Sequence, residues 1–399
     1  MRWRMLAWIC LAELGALSLW FSATAVIPAL ETSWLSTDAK AWLSMAVTLG
    51  FVVGTVLSAI FTLADFVGAR RLFVLSAVVG ALVNAALLVV IDSLPLVLAC
   101  RFVTGLAMAG TYPPAMKLAA SWFVSDRGLA VGSLVGALTV GGAVPHLINF
   151  ALGGLTWPPV IAGTSLGALA AAVVMARCVR DGPHVQARAP FNPACVGELC
   201  RTRGVVLASL GYFGHMWELY AMWAWIGLYL IEGFHAAPSS WSAPRLGSLA
   251  TGAVFLVGAA SCVLAGWVAD RIGRTATTML AMVGSGTCAA AIGLVFGRPG
   301  FLVAVALIWG FTIIADSAQF SASVTELAPP AYVGTALSLQ TSLGFLLTLA
   351  STWLVPRAAE AWGWPWAFAF LAPGPFLGTL AMSRLRRLPE SARLAGGRR

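Results

Sequence analysis

The chain has 399 residues, of which 60% are hydrophobic and only 10% are charged, and its formal net charge is +9. This composition excludes an ordinary soluble domain, in which roughly a quarter of the residues are charged. The positive charge does not indicate nucleic-acid binding, because Lys and Arg lie in short turns between long apolar segments and form no dense basic face.

Twelve apolar segments are long enough to cross a bilayer as helices, which takes about 20 residues each. They comprise approximately residues 5–30, 41–63, 72–91, 94–118, 129–152, 157–176, 204–231, 246–269, 275–296, 301–324, 333–356 and 364–382. The first segment could be a signal peptide, because Arg2 and Arg4 precede it and "SATA" at 22–25 imitates a cleavage site. Its apolar run is longer than a signal peptide needs, so we predict an uncleaved first helix and an all-α integral membrane protein with twelve transmembrane helices.

The first and fourth segments carry ionisable residues inside the predicted bilayer. Glu13 lies in the first segment, and Arg101 in the fourth shares a helical face with Gly105, Met108 and Tyr112. Burying such a group in a membrane is costly, so each one indicates a functional site, with helix packing as the alternative. For Arg101, a proton-coupling switch and an anchor for an anionic solute both remain open.

The longest polar interruption covers residues 177–203 and is rich in Pro and Arg, with six segments on either side. It predicts a cytoplasmic linker between two pseudo-symmetric six-helix bundles, an N-terminal one at 1–176 and a C-terminal one at 204–383. A cytoplasmic tail follows at 384–399.

An internal repeat supports this division. "LADFVGARR" follows the second segment and "GWVADRIGRT" follows the eighth; Asp65 and Asp270 are 205 residues apart, and so are Gly68 and Gly273. An Asp, a tight Gly turn and an Arg can pair with neighbouring helix ends and their dipoles, so we name these loops the N-clasp (63–71) and the C-clasp (266–275).

The seventh segment contains "GHMWELYAMWAW" at 214–225, where His215 and Glu218 share a helical face with Met222 and Trp225. We predict that this His and Glu exchange a proton or bind solute in a water-filled cavity near the bilayer midplane. A neutral hydrogen-bonded pair that serves helix packing is the alternative. Asp316 in the tenth segment is a further candidate, unless it contacts only headgroups or inner loops. We expect these polar groups to face one common cavity.

The distribution of basic residues predicts the orientation. Nineteen lie in segments on the N-terminal side of the membrane, four lie on the other side and Arg101 lies within a span, which accounts for all 24. By the positive-inside rule both termini are predicted to be cytoplasmic.

With its central linker and paired loops, the chain resembles the major facilitator superfamily of secondary transporters, whose inner-loop signature is G-x-x-x-D-R-x-G-R-[RK]. The C-clasp keeps the signature residues Gly266, Asp270, Arg271, Gly273 and Arg274, and the N-clasp keeps Asp65, Gly68, Arg70 and Arg71. The resemblance implies that the two loops act in gating. It also implies a role in proton coupling for Arg101. Short stretches such as "LWFSATAVIPAL" are similar to bacterial anion porters of the nitrate and cyanate type.

We therefore predict a secondary active transporter in a bacterial inner membrane that moves a small organic solute or anion by alternating access, coupled to protons and acting as a monomer. The candidate proton or solute residues are Glu218, His215, Arg101, Glu13, Asp316, Tyr112 and Trp225. No cofactor or metal is expected, because the seven cysteines and four histidines form no ligand motif. The alternatives are a receptor or scaffold that keeps the fold without transport and, with less support, an integral membrane enzyme.

Overall fold

The computed structural model describes residues 1–30, 33–123, 127–153, 156–184, 195–237 and 242–398, and its regular structure in these ranges is helical throughout. The α-helices are α1 (Arg2–Leu17), α2 (Thr37–Ile60), α3 (Ala69–Val90), α4 (Leu94–Ala109), α5 (Tyr112–Trp122), α6 (Arg127–Ala151), α7 (Pro158–Cys178), α8 (Val196–Arg201), α9 (Arg203–His235), α10 (Ala243–Ile272), α11 (Arg274–Ala291), α12 (Pro299–Ala315), α13 (Ser317–Leu327), α14 (Val333–Trp362) and α15 (Pro373–Arg387). Helices dominate because a chain in lipid must satisfy its backbone hydrogen bonds internally.

Ten helical stretches in the described ranges are long and apolar enough to cross a membrane. The sequence predicted twelve. The two that are missing from the ten are α1, which has only 16 residues, and α9, whose 33 residues include polar and aromatic side chains that lower its mean hydropathy. The structure therefore confirms an all-helical protein with many candidate spans, and the count of twelve stays a prediction.

The first, fourth and tenth predicted segments are among those that are not continuous α-helices. The first breaks after α1, where turns at 18–23 lead into a short 3-10 helix at Thr24–Ala29. The fourth breaks between α4 and α5, because Pro113 and Pro114 have no N–H to donate and the helix restarts at Tyr112. The tenth breaks at Asp316, between α12 and α13. Breaks of this kind expose backbone groups that a cavity or a polar side chain must satisfy.

The helices form two groups, α1–α7 and α9–α15, which meet along two seams. In one seam α6 packs along α10, where Gly132 and Gly136 bring the helices close. An added Cβ at either glycine would lie 3.1 Å from the carbonyl oxygen of Cys262 or Ala259. In the other seam α2 packs along α14. Small residues at such contacts allow close helix packing without a hydrophobic driving force.

The predicted linker and tail contain helical structure. Residues 185–194 of the linker lie outside the described residues, and α8 occupies its end. In the predicted tail, α15 continues to Arg387 and a 3-10 segment at Pro389–Gly397 places Leu394 in the core. The division of the chain into bundles at 176 and 204 stays a prediction, with α7 ending at Cys178 and α9 starting at Arg203.

Candidate functional site

A cavity of about 80 Å³ lies between the two helix groups, with walls from α1, α2, α5 and α6 on one side and from α9, α12, α13 and α14 on the other. We call it the central cavity. Within the part of the chain that the structure describes, the side chains that line it carry no formal charge. The cavity is therefore an uncharged space that both groups share.

Five aromatic rings close the central cavity near the middle of the molecule: Trp20, Phe51, Tyr220, Trp223 and Phe345, which we name the aromatic cluster. The ring centroids of Trp20 and Tyr220 are 5.3 Å apart, and those of Phe51 and Phe345 are 4.7 Å apart. Both contacts join the two helix groups. Edge-to-face and tilted ring pairs at this spacing are favourable and water-excluding.

The two helix groups are also joined at the end remote from the clasps, where α2 begins and α14 ends. Thr37 Oγ1 donates to Glu360 Oε1 at 2.7 Å, and Arg357 forms an ion pair with Asp38. This end is therefore closed beyond the aromatic cluster.

Glu218 lies on α9 behind the cavity wall and is 1% exposed. Trp309 Nε1 donates to Glu218 Oε1 at 2.7 Å, and Ser285 Oγ donates to Glu218 Oε2 at 2.8 Å. Both carboxylate oxygens thus have a neutral donor, supplied by α11 and α12. Such donors can accommodate a buried carboxylate.

His215 does not pair with Glu218, contrary to the sequence prediction. Its Nδ1 lies 2.8 Å from Asp316 Oδ1 at the break between α12 and α13, and both side chains are buried. The physical reason is that positions three apart on a helix differ by about 60° in direction, so each side chain meets a different neighbouring helix. Asp316 accordingly lies in the protein interior and not at the headgroups.

Glu13 on α1 is fully buried, and neither of its carboxylate oxygens has a hydrogen-bond partner among the described residues. Its helix packs on α5, whose Tyr112 lines the central cavity. Leu17, one turn further along α1, and Trp20, in the turns that follow α1, also line that cavity. Glu13 is therefore behind the wall on the same helix face.

Arg101 is fully buried and bound to neutral acceptors at the break after α1. Its guanidinium donates to Leu19 O at 3.0 Å, to Leu43 O at 3.2 Å, to Ser22 Oγ at 3.3 Å and to the carbonyl of Trp20. These carbonyls include ones that the interruption of the helix leaves without helical partners, and a cation at a helix C-terminus is also favoured by the dipole. Arg101 therefore holds Trp20 in place and does not line the cavity, in contrast to the pathway expected from its helix face.

Trp225 has two neighbours that the sequence did not indicate. Its Nε1 donates to Thr352 O at 2.9 Å, and its ring lines a second, small cavity of about 20 Å³ together with His146. Of the seven candidate residues, Tyr112 alone lines the central cavity. The polar candidate residues were expected to face one common cavity; they lie instead at several positions around it.

The two clasps have the same backbone turn but different ion pairs. Gly68 and Gly273 have φ angles of 88° and 94°, a region that favours glycine. In the N-clasp, Asp65 pairs with Lys117 of α5, and Arg70 Nη1 donates to the carbonyl of Val179 at 3.2 Å. Arg71 is exposed. The acid of the loop therefore makes the contact here.

In the C-clasp the base makes the contact. Arg274 donates from Nε and Nη2 to both carboxylate oxygens of Glu326, at 2.9 and 2.5 Å, and from Nη1 to Gln319 at 2.8 Å. Arg271 lies over the ring of Trp267, the backbone oxygen of Asp270 accepts from Arg398, and Gly266 is buried in α10. Each clasp thus joins helices within its own group.

The sequence reasoning missed Ser285 and Trp309, the two partners of Glu218. It also missed a signal, because the offset of 205 residues that relates the clasps also relates Glu13 to Glu218 and Thr111 to Asp316. The two glutamates therefore occupy matching positions of α1 and α9, and Thr111 and Asp316 lie at matching helix breaks. Broken helices at matching positions point to the binding region of a transporter.

Comparisons with known proteins agree with this geometry. A family model described as Major Facilitator Superfamily matches residues 9–352 and also residues 208–399. The solved crystal structure of a D-xylose-proton symporter superposes with a TM-score of 0.74, covering 96% of this chain and 98% of that chain at 17% identity. At that identity the likeness shows the fold alone. No curated protein matches the chain.

Proposed function

The chain belongs to the Major Facilitator Superfamily, and on that premise we propose that it moves a small solute by alternating access and couples this movement to protons. Family membership confirms the sequence resemblance and indicates a multi-pass membrane transporter and not an enzyme. We extend this to twelve spans in two bundles, with cytoplasmic termini, in a bacterial inner membrane.

The buried carboxylates support proton coupling most directly. Glu218, Asp316 and Glu13 are each at most 1% exposed, and an ionisable group inside a membrane costs about 3 kcal/mol or more. Glu218 has donors but no cation among its hydrogen-bond partners, and Glu13 has no hydrogen-bond partner in the described chain. Groups placed in this way can take up and release protons as their surroundings rearrange. This arrangement is the observation on which the proposal rests.

The contacts at the two ends of the molecule support alternating access. The end remote from the clasps is joined across the helix groups by Arg357 with Asp38 and by the aromatic cluster. At the clasp end, the ion pairs Asp65–Lys117 and Arg274–Glu326 each stay within one group. The two groups can therefore separate at the clasp end without breaking these pairs, which suits a state that opens there.

Reconstituted protein tests the proposal. Proteoliposomes containing a pH-sensitive dye are given an imposed pH gradient, and uptake is measured over a solute panel. We expect Glu218→Gln to abolish gradient-driven accumulation while exchange of labelled for unlabelled solute continues, because exchange needs no net proton movement. Asp92→Asn, at an exposed position between α3 and α4, is the control.

Two results would contradict the proposal. Parental accumulation with unchanged pH dependence in Glu218→Gln and Asp316→Asn would remove the proton site. Solute binding without any flux would favour a receptor that has kept the transporter fold.

A further inference from the structure

The walls of the central cavity restrict the kind of solute that fits. The charged groups nearby are either engaged elsewhere or separated from it: Arg101 by four neutral acceptors, Glu218 by Ser285 and Trp309, and Asp316 by His215. Glu13 is fully buried behind the wall. A solute in the cavity therefore meets no charged side chain from the described residues that line it.

This lack of charge disfavours an ionic solute. An ion that enters loses its hydration shell, and the penalty is several kcal/mol unless an opposite charge or full hydrogen bonding replaces the water. Arg101 cannot serve as the anchor for an anion, because its donors point to backbone carbonyls and to Ser22. A neutral solute loses no ionic hydration and avoids this penalty.

One wall of the cavity is the aromatic cluster. Trp20 and Phe51 come from the first helix group, and Tyr220, Trp223 and Phe345 come from the second. Flat rings from both groups allow a planar apolar body to stack against them, with pair energies beyond simple area burial. A solute held in this way contacts both halves of the transporter.

The rest of the cavity offers hydroxyl groups. Ser317 and Ser321 on α13 and Thr341 on α14 line it together with the phenols of Tyr112 and Tyr212. A hydroxyl both donates and accepts, so these groups suit alcohol, carbonyl or amide groups. Ser317 follows directly after Asp316 at the helix break, so a solute that binds here lies next to the buried His215–Asp316 pair.

From these two walls we infer that the solute is an uncharged molecule with a flat, ring-like apolar body and a hydroxyl, carbonyl or amide group at one end. The ring stacks on the aromatic cluster, and the polar end binds the hydroxyls of α13 and α14. This inference rests on the proposed transport function and replaces the expectation of an anion.

Three indole probes of matched shape test the charge requirement: indole-3-ethanol, which is neutral, tryptamine, a cation, and indole-3-acetate, an anion. Equilibrium binding of each is measured on the full-length protein in lipid nanodiscs. We expect the neutral probe to bind and each ion to bind at least about a hundredfold more weakly, because desolvation of an unpaired charge costs several kcal/mol. Equal or tighter binding of tryptamine or indole-3-acetate overturns the inference, and so does no binding of indole-3-ethanol.

Matched variants test the two walls separately. Trp223→Leu is expected to weaken indole-3-ethanol binding about tenfold through lost stacking, and Ser321→Ala about threefold to tenfold through a lost hydrogen bond. Phe345→Leu removes another ring of the same cluster, so it tests the stacking wall if Trp223→Leu does not fold. The controls are Trp362→Leu, at an exposed Trp, and Ser383→Ala, whose hydroxyl bonds its own helix. Parental affinity in all three cavity variants overturns the site.

The binding experiment and the transport test can fail independently of each other. Binding of the neutral probe without any proton-coupled flux leaves the solute class standing and removes the proposed coupling. Proton-coupled uptake of an ion alone, without binding of indole-3-ethanol, leaves the proposed coupling standing and removes the solute class.

Discussion

Replacing Arg101 separates a positioning role from a direct role in coupling. In Arg101→Met, the carbonyls of Leu19, Trp20 and Leu43 remain buried and lose the guanidinium donor, although Ser22 Oγ still donates to Leu19 O. Each lost hydrogen bond to a charged donor costs about 1.5–3 kcal/mol, and water, remaining donors or small backbone shifts recover part of this. We therefore expect the free energy of unfolding to fall by about 3–6 kcal/mol.

Arg101→Lys sharpens the test. Lys keeps the charge but offers its donors from a single point, so it cannot reach the carbonyls that follow α1 and the Leu43 carbonyl on α2 at the same time. We expect an intermediate loss of stability, with an unchanged pH profile for the transport that remains. A coupling switch or an anion anchor would instead tolerate Lys and lose function with Met at little cost in stability.

Thermal melting in nanodiscs is the assay, together with pH-dependent uptake of the same variants. A change of this size corresponds to a fall of about 4–7 °C in melting temperature for Arg101→Met. Arg298→Met, at an exposed loop position, is the control and should melt like the parent. Parental melting of Arg101→Met, or a shifted pH profile without destabilisation, would refute the positioning role.

Two further predictions concern the contacts between helices. Asp38→Asn breaks the exposed ion pair with Arg357, which is worth about 1 kcal/mol or less. Hydrogen exchange at the start of α2 should therefore rise about twofold to fivefold, and high salt should raise it in the parent as well. Equal exchange in the variant, in the parent and in the parent at high salt would contradict a joining role. Gly105→Ala puts a Cβ well inside contact distance of the Val47 carbonyl oxygen, so it should lower the free energy of unfolding by about 2–3 kcal/mol in a melting experiment. Gly167→Ala is the control, because the nearest atom to its added Cβ is 3.7 Å away, and it should melt like the parent. Equal melting of the two variants would show that α2 and α4 can separate freely.

The sequence by itself determined the membrane-embedded helices, the paired clasps and the family, because apolar length and short motifs are local properties of the chain. It also singled out Glu218, His215 and Asp316, since an ionisable residue in an apolar segment is visible without any structure. The repeat of 205 residues even linked the two halves before any contact was known.

Only the tertiary structure decided what each polar group touches. Glu218 finds Ser285 and Trp309 at separations of 67 and 91 residues, and Arg101 reaches Leu19 across 82 residues. The physical reason is that such partners depend on how each helix is rotated and where it breaks, and many distant packing contacts set both together. For the same reason the uncharged central cavity, built from eight helices, could not be read from any one of them.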